Sequence, residues 1–147
     1  MVLIMVGIFA FSALPGDESA DQSGSLLDAI IRLFGSSSGE LSENTYRALH
    51  LLLRKTAHFT EYALLGASAC YALRVPKKDG LSFKQLLFPW INATVYAVTD
   101  EIHQYHVSGR YGTWSDVLID SCGAVAGILI WSLLMKKHGK LTGTQKQ

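Results

Sequence analysis

Charge is scarce in this chain: 17% of its 147 residues are Asp, Glu, Lys or Arg, against 49% that are apolar. Soluble domains carry about 25% charged residues, so the balance points to a membrane protein built as one domain over 1–147. With a net charge of +1 and no basic cluster longer than a few residues, the footprint of a nucleic-acid-binding protein is excluded. Cysteine is scarcer still. Cys70 and Cys122 fall in separate apolar segments and are expected as small packed residues rather than a disulfide. Paired-cysteine zinc patterns, nucleophile elbows, phosphate-binding glycine loops and internal repeats are all missing.

What is there is a set of apolar runs, at about 1–14, 55–75, 85–105 and 115–135, which predict four membrane spans. The first is short, covering about 21 Å of a hydrocarbon core of about 30 Å. It fits a span that starts upstream or one completed by its neighbours better than a cleaved leader, since no basic residue precedes it. Between the first two runs the chain turns acidic, and Leu26, Leu27, Ile30, Ile31 and Phe34 repeat at helical spacing. Ser25 followed by Asp28 predicts a short amphipathic helix there, lying on the membrane surface or over the bundle end. Ser42-Glu43-Asn44 is the expected cap of the helix leading into the second span. Residues 35–39 and 139–147 read as loop and tail. Trp90, Trp114 and Trp131 lie near span ends, as interfacial anchors do.

Lysine and arginine concentrate in 74–84 and after 135, which places both segments, and both termini, in the cytoplasm. The predicted fold class is therefore an all-α integral membrane four-helix bundle. In that topology Lys55, His58, Glu61, Asp100, Glu101, His103, Arg110, Asp116 and Asp120 all lie toward the outer face. Charged side chains inside a span cost at least about 2.5 kcal/mol each, so they are expected to share one site rather than face lipid. Asp100, His103 and Gln104 line one face of the third span, and Glu101 is rotated by about 100 degrees from Asp100. Asp116 and Asp120 continue into Gly123, Ala124 and Gly127, a small-residue stripe that points those acids at other helices, as Gly66 to Ala69 do on the second span.

Four separate motifs, in order, make the chain similar to the VanZ-like bacterial membrane proteins. They are Phe11-Ser12-Ala13-Leu14-Pro15-Gly16, Arg54-Lys55-Thr56-Ala57-His58-Phe59-Thr60-Glu61-Tyr62, Asp100-Glu101-Ile102-His103-Gln104 with Gly109-Arg110, and Asp116 to Asp120 with Gly123. The resemblance implies an integral protein of the bacterial cell membrane and, through the family's namesake, a part in resistance to the glycopeptide teicoplanin.

Chemically, five carboxylates face only Lys55 and Arg110 as firm cations, so one must be protonated, hydrated or bound to a cation. One expectation is a structural network. Another is an enzyme in which His58 and His103, with Glu61 or Glu101, hold zinc or manganese while Glu61, Asp100, Glu101 or Asp120 acts on a bound water. A third is a binding pocket in which Lys55, Gln104, Arg110 and Asp116 engage a membrane lipid, a cell-wall lipid precursor or a lipoglycopeptide. Proton-coupled transport fits least, because the polar residues sit near one end of the spans.

Overall fold

The computed structural model describes residues 1–73 and 83–143, with side chains as far as Lys136 apart from Lys84. Among these residues the chain is all helical: α1 (Val2–Ser12), α2 (Gly16–Leu33), a 3₁₀ turn (Ser38–Glu40), α3 (Glu43–Ala72), α4 (Phe83–Tyr105) and α5 (Trp114–Gly143). The basic segment at 74–82 and the side chains beyond Lys136, which carry the expected orientation, lie outside the described residues.

Pro15 ends α1, because the residue before a proline is disfavoured in the helical region, and it serves as the N-cap from which α2 departs. The two axes differ by 106°. Asp17 and Glu18 in the first turn of α2 and Arg32 in its last turn match the helix dipole. This corrects the expected start at Ser25: α2 begins nine residues earlier, and the capping box forms instead between Ser37 and Glu40 at the 3₁₀ turn. Helix α2 remains amphipathic, burying Leu27 and Ile31 against α3 while Leu33 and Phe34 stay exposed. His50 of α3 meets Ser23 of α2 at 2.7 Å.

The cap at Ser42 forms as expected, its Oγ accepting from the Thr45 amide at 3.2 Å. From there α3 runs unbroken for 30 residues. It packs most closely on α5 along the small-residue stripe. A Cβ added at Gly123 or Gly127 would fall on the carbonyls of Phe59 or Ala63, and one at Gly66 on the backbone of Ala124. Partners rise together in number along both helices, so α3 and α5 are parallel. Helix α4 lies antiparallel to α5, with Trp90 donating to Ser121 at 2.9 Å near one end and Glu101 facing Thr113 near the other. Short α1 follows α4 in parallel, from Tyr96 Oη on the Met5 carbonyl at 2.6 Å to Gln104 on Ser12 at 3.4 Å.

The core of this bundle is made of Ile8, Tyr62, Leu65, Ala93, Ala97, Val117 and Ala124, continued by Cys70, Ile128 and Trp131. Outward faces are apolar as well, among them Leu64, Phe88, Val95, Leu118, Leu129, Ile130 and Leu133. Three details differ from expectation. Cys122 faces outward, one position off the Gly123 stripe, whereas Cys70 is buried. Trp131 is buried and Trp90 is tied into the bundle by Ser121, which leaves Trp114 as the exposed one of the three. Helix α5 continues to Gly143 across part of the expected tail. By length and composition only Trp114–Lys136, among the described residues, is a helix able to cross a membrane alone, and α1 with α2 qualifies only as a bent pair.

Candidate functional site

The helix directions bring the C-terminal ends of α1 and α4 to the same end of the bundle as the start of α5 and the middle of α3. A backbone joint holds them together. The Gly16 amide donates to the Ser108 carbonyl at 2.9 Å, and Gly16 lies so close to Gly109 that a Cβ there would overlap its carbonyl. Gly109 itself has φ +71°, a conformation that favours glycine. The α1–α2 corner is thereby seated on the α4–α5 loop, which carries Arg110.

Arg110 uses both terminal nitrogens: one donates to the Phe11 carbonyl and to Ser19 Oγ, each at 3.3 Å, the other to Gln104 Oε1 at 2.7 Å. Gln104 passes the chain on, donating to Asp100 Oδ2 at 3.0 Å. Burial and the nearby Arg54 guanidinium pull the pKa of Arg110 below its ordinary value, while Asp100, Glu101 and Glu61 work the other way. Arg54 and Arg110 line a single cleft of about 220 Å³ together with His58, Glu61, Ser12 and Ser19, and Phe11, Leu14, Leu26 and Leu53 supply its apolar wall.

A second group forms between α3, α4 and α5. Lys55 pairs with Asp116, and one turn further in His58 Nδ1 stands 3.4 Å from Asp120 Oδ1. Glu101 completes it. One donor atom from each of His58, Glu101 and Asp120 lies within 4.8 Å of the others. Glu101 Oε2 accepts from the Thr113 amide at 2.8 Å, because Gly112 brings the loop backbone against α4. Its Oε1, both oxygens of Asp120 and Nδ1 of His58 have no hydrogen-bond partner among the described residues. Asp120 is fully buried and Glu101 is 5% exposed. Beyond Glu101 a mostly apolar cleft of about 200 Å³ opens between the end of α4 and the start of α5, lined by Val98, Ile102, Tyr105, Trp114 and Val117.

The residues singled out from the sequence thus separate into two linked groups. Gln104, Asp100, Arg110 and Glu61 belong to the corner with α1 and α2, while Lys55, Asp116, His58, Asp120 and Glu101 belong to the α3–α5 side. His103 joins neither. Its ring stacks on Phe9 with centroids 4.5 Å apart, facing α1. Sequence reasoning passed over Arg54, although Arg54, His58 and Glu61 recur at four and three residues and so share a helix face. Tyr62, expected on the same helix face as Lys55 and His58 but given no role in the site, is wholly buried with its hydroxyl unpartnered among the described residues.

Parallel and antiparallel helices with apolar outer faces, gathering acids, an imidazole and two guanidiniums at one end, define a helical bundle with a polar end site. Within that class the chain belongs to the VanZ/LLP1 family, whose model matches residues 1–135. Among curated proteins and among solved structures, nothing matches it.

Proposed function

We propose that this chain is a multi-span protein of the bacterial cell membrane, both termini cytoplasmic, whose polar end opens at the outer face and holds the anionic head group of an amphiphile. The amphiphile is a membrane lipid, a cell-wall lipid precursor or a lipoglycopeptide, and its capture contributes to resistance against teicoplanin-type glycopeptides. The observation that carries the head-group reading is the cleft that Arg54 and Arg110 both line, together with the apolar side chains of Phe11, Leu14, Leu26 and Leu53. Two guanidiniums near enough to repel each other favour an anion between them, and planar donors suit phosphate or carboxylate. Phe11, Leu14, Leu26 and Leu53 would meet the apolar part of the same molecule.

Support for a membrane setting comes from α5, which is apolar on both sides. Its inward face carries Val117, Asp120, Ala124, Gly127, Ile128 and Trp131, while Leu118, Val125, Leu129, Ile130, Leu133 and Leu134 point outward and are exposed. Exposed apolar surface on that scale is what lipid covers. The resistance phenotype itself is taken over from the family.

The test is expression in a susceptible bacterium, with the inhibitory concentration of teicoplanin measured beside the abundance of the protein in the membrane. Wild type should raise that concentration several-fold, and Arg54→Gln with Arg110→Gln should abolish the rise at equal abundance. Unchanged susceptibility with abundant wild-type protein would reject the phenotype. Full resistance in the double variant would reject the cleft.

A further inference from the structure

Asp120 is wholly enclosed by helices, and neither of its oxygens accepts a hydrogen bond among the described residues. An ionised carboxylate left in that state is strongly unfavourable, so something must answer it. The firm cations nearby are engaged elsewhere, Lys55 with Asp116 and Arg110 with Gln104, Ser19 and the Phe11 carbonyl. Glu101 Oε1 and His58 Nδ1 likewise make no hydrogen bond among the described residues, His58 Nδ1 standing 3.4 Å from Asp120 Oδ1, and one donor atom of each of the three residues falls in the same small volume.

We propose that His58, Glu101 and Asp120 bind one divalent transition-metal cation of the zinc or manganese type. A neutral imidazole and two carboxylates carry two negative charges, which such an ion neutralises without any proton. Geometry agrees. Bonds of about 2.1 Å at tetrahedral angles set neighbouring donors about 3.4 Å apart, and His58 Nδ1 and Asp120 Oδ1 are separated by 3.4 Å. The 4.8 Å limit on the whole set requires only a small closure of the carboxylates, which rotate about their side-chain bonds. The donor set selects the ion: mixed nitrogen and oxygen suit zinc and manganese, while the thiolate ligands that softer ions prefer are absent from the group. Three protein donors leave at least one position open, and His58 also lines the cleft that holds Arg54 and Arg110.

The centre is held by the fold on every side. Thr113 fixes the other oxygen of Glu101, the Lys55–Asp116 pair sits one turn outward from His58, and the backbone contact of Gly123 with Phe59 locks α3 against α5 one turn inward from Asp120. Such prearrangement is what a metal site needs and what an accidental cluster of acids lacks.

Full-length protein, purified in detergent and stripped with a chelator, is titrated with zinc chloride and with manganese chloride by calorimetry, and its metal content is measured after dialysis. One equivalent of one of these ions is expected to bind and to raise the unfolding temperature of wild type. Asp120→Asn and Glu101→Gln should weaken binding by more than about 100-fold, since changes one layer outside a metal site already cost 10–100-fold. His103→Ala, at a ring that stacks on Phe9 and lies outside the three-residue group, should bind as wild type does. If the folded wild type takes up neither ion, or if both acid variants bind and are stabilised undiminished, the proposal is overturned and a shared proton satisfies the acids instead. Should Asp120→Asn fail to fold, Glu101→Gln and the metal-dependent unfolding temperature of wild type decide the matter. The head-group reading rests on the two arginines and stands or falls separately.

Discussion

Arg110 illustrates why residue identity, beyond charge, matters at this site. Its guanidinium reaches three acceptors on three segments, Phe11, Ser19 and Gln104, and so clamps the α1–α2 corner onto α4. Lysine carries the same charge on a single point and cannot span them. Arg110→Lys is therefore expected to lower stability by about 1.5–3 kcal/mol, the range for hydrogen bonds made by charged groups. Thermal unfolding in detergent would check this, and an unchanged midpoint would mean the clamp is dispensable. At this scale the sequence was informative about which acids gather and poor about how they divide. Glu101 and His103 are two residues apart and point about 200 degrees apart at about 100 degrees per residue, so one faces α3 and α5 while the other faces α1. Which neighbour each would meet depended on the order of the helices around the bundle, and local spacing does not encode that order. The amide of Thr113, a backbone donor, leaves no mark in side-chain patterns.

At the scale of elements, the contact between α3 and α5 depends on the absence of side chains. The Gly127 position is occupied by the Ala63 carbonyl as soon as a Cβ is added, and that carbonyl is tied into its own helix. Gly127→Val should therefore cost at least about 3 kcal/mol, the upper part of the usual overpacking range, because neither backbone can yield without moving a helix. Gly7→Ala serves as the contrast, since nothing lies within 4 Å of a Cβ there, and a glycine in a helix is unfavourable by up to about 1 kcal/mol. Its unfolding temperature should stay level or rise. A tolerated Gly127→Val would show that α3 and α5 are not held by close backbone approach. The small-residue stripe was legible in advance because it repeats at helical spacing. The start of α2 was not, since Gly16 to Gly24 lacks an apolar period and becomes helical through the proline corner, the acids of its first turn and its docking on α3.

For the molecule as a whole, the multi-span reading proposed above requires that the residues building the site are the ones that lower the hydropathy of α3 and α4. Helices α3 and α4 carry Arg54, Lys55, Glu61, Asp100 and Glu101 toward one end, and among the described residues only α5, uncharged between Asp120 and Lys136, passes as a span by itself. Of these charges Lys55 is paired with Asp116, and Asp100 and Glu101 are buried, while Leu64, Phe88 and Val95 of the same two helices are exposed. Segment averages mix these two faces, whereas the folded bundle separates them. The orientation follows from a comparison across α5. In a background carrying Cys70→Ala and Cys122→Ala, a membrane-impermeant maleimide added to intact cells should label Ser108→Cys, in the loop before α5, and leave Lys136→Cys unlabelled until the cells are lysed. The opposite pattern would invert the protein and turn its polar end to the cytoplasm, removing the site from the reach of an outer-leaflet amphiphile. Equal labelling of both positions from one side would mean that α5 does not cross the membrane, and the multi-span reading would fail at the described helix that is both long and apolar enough to span alone.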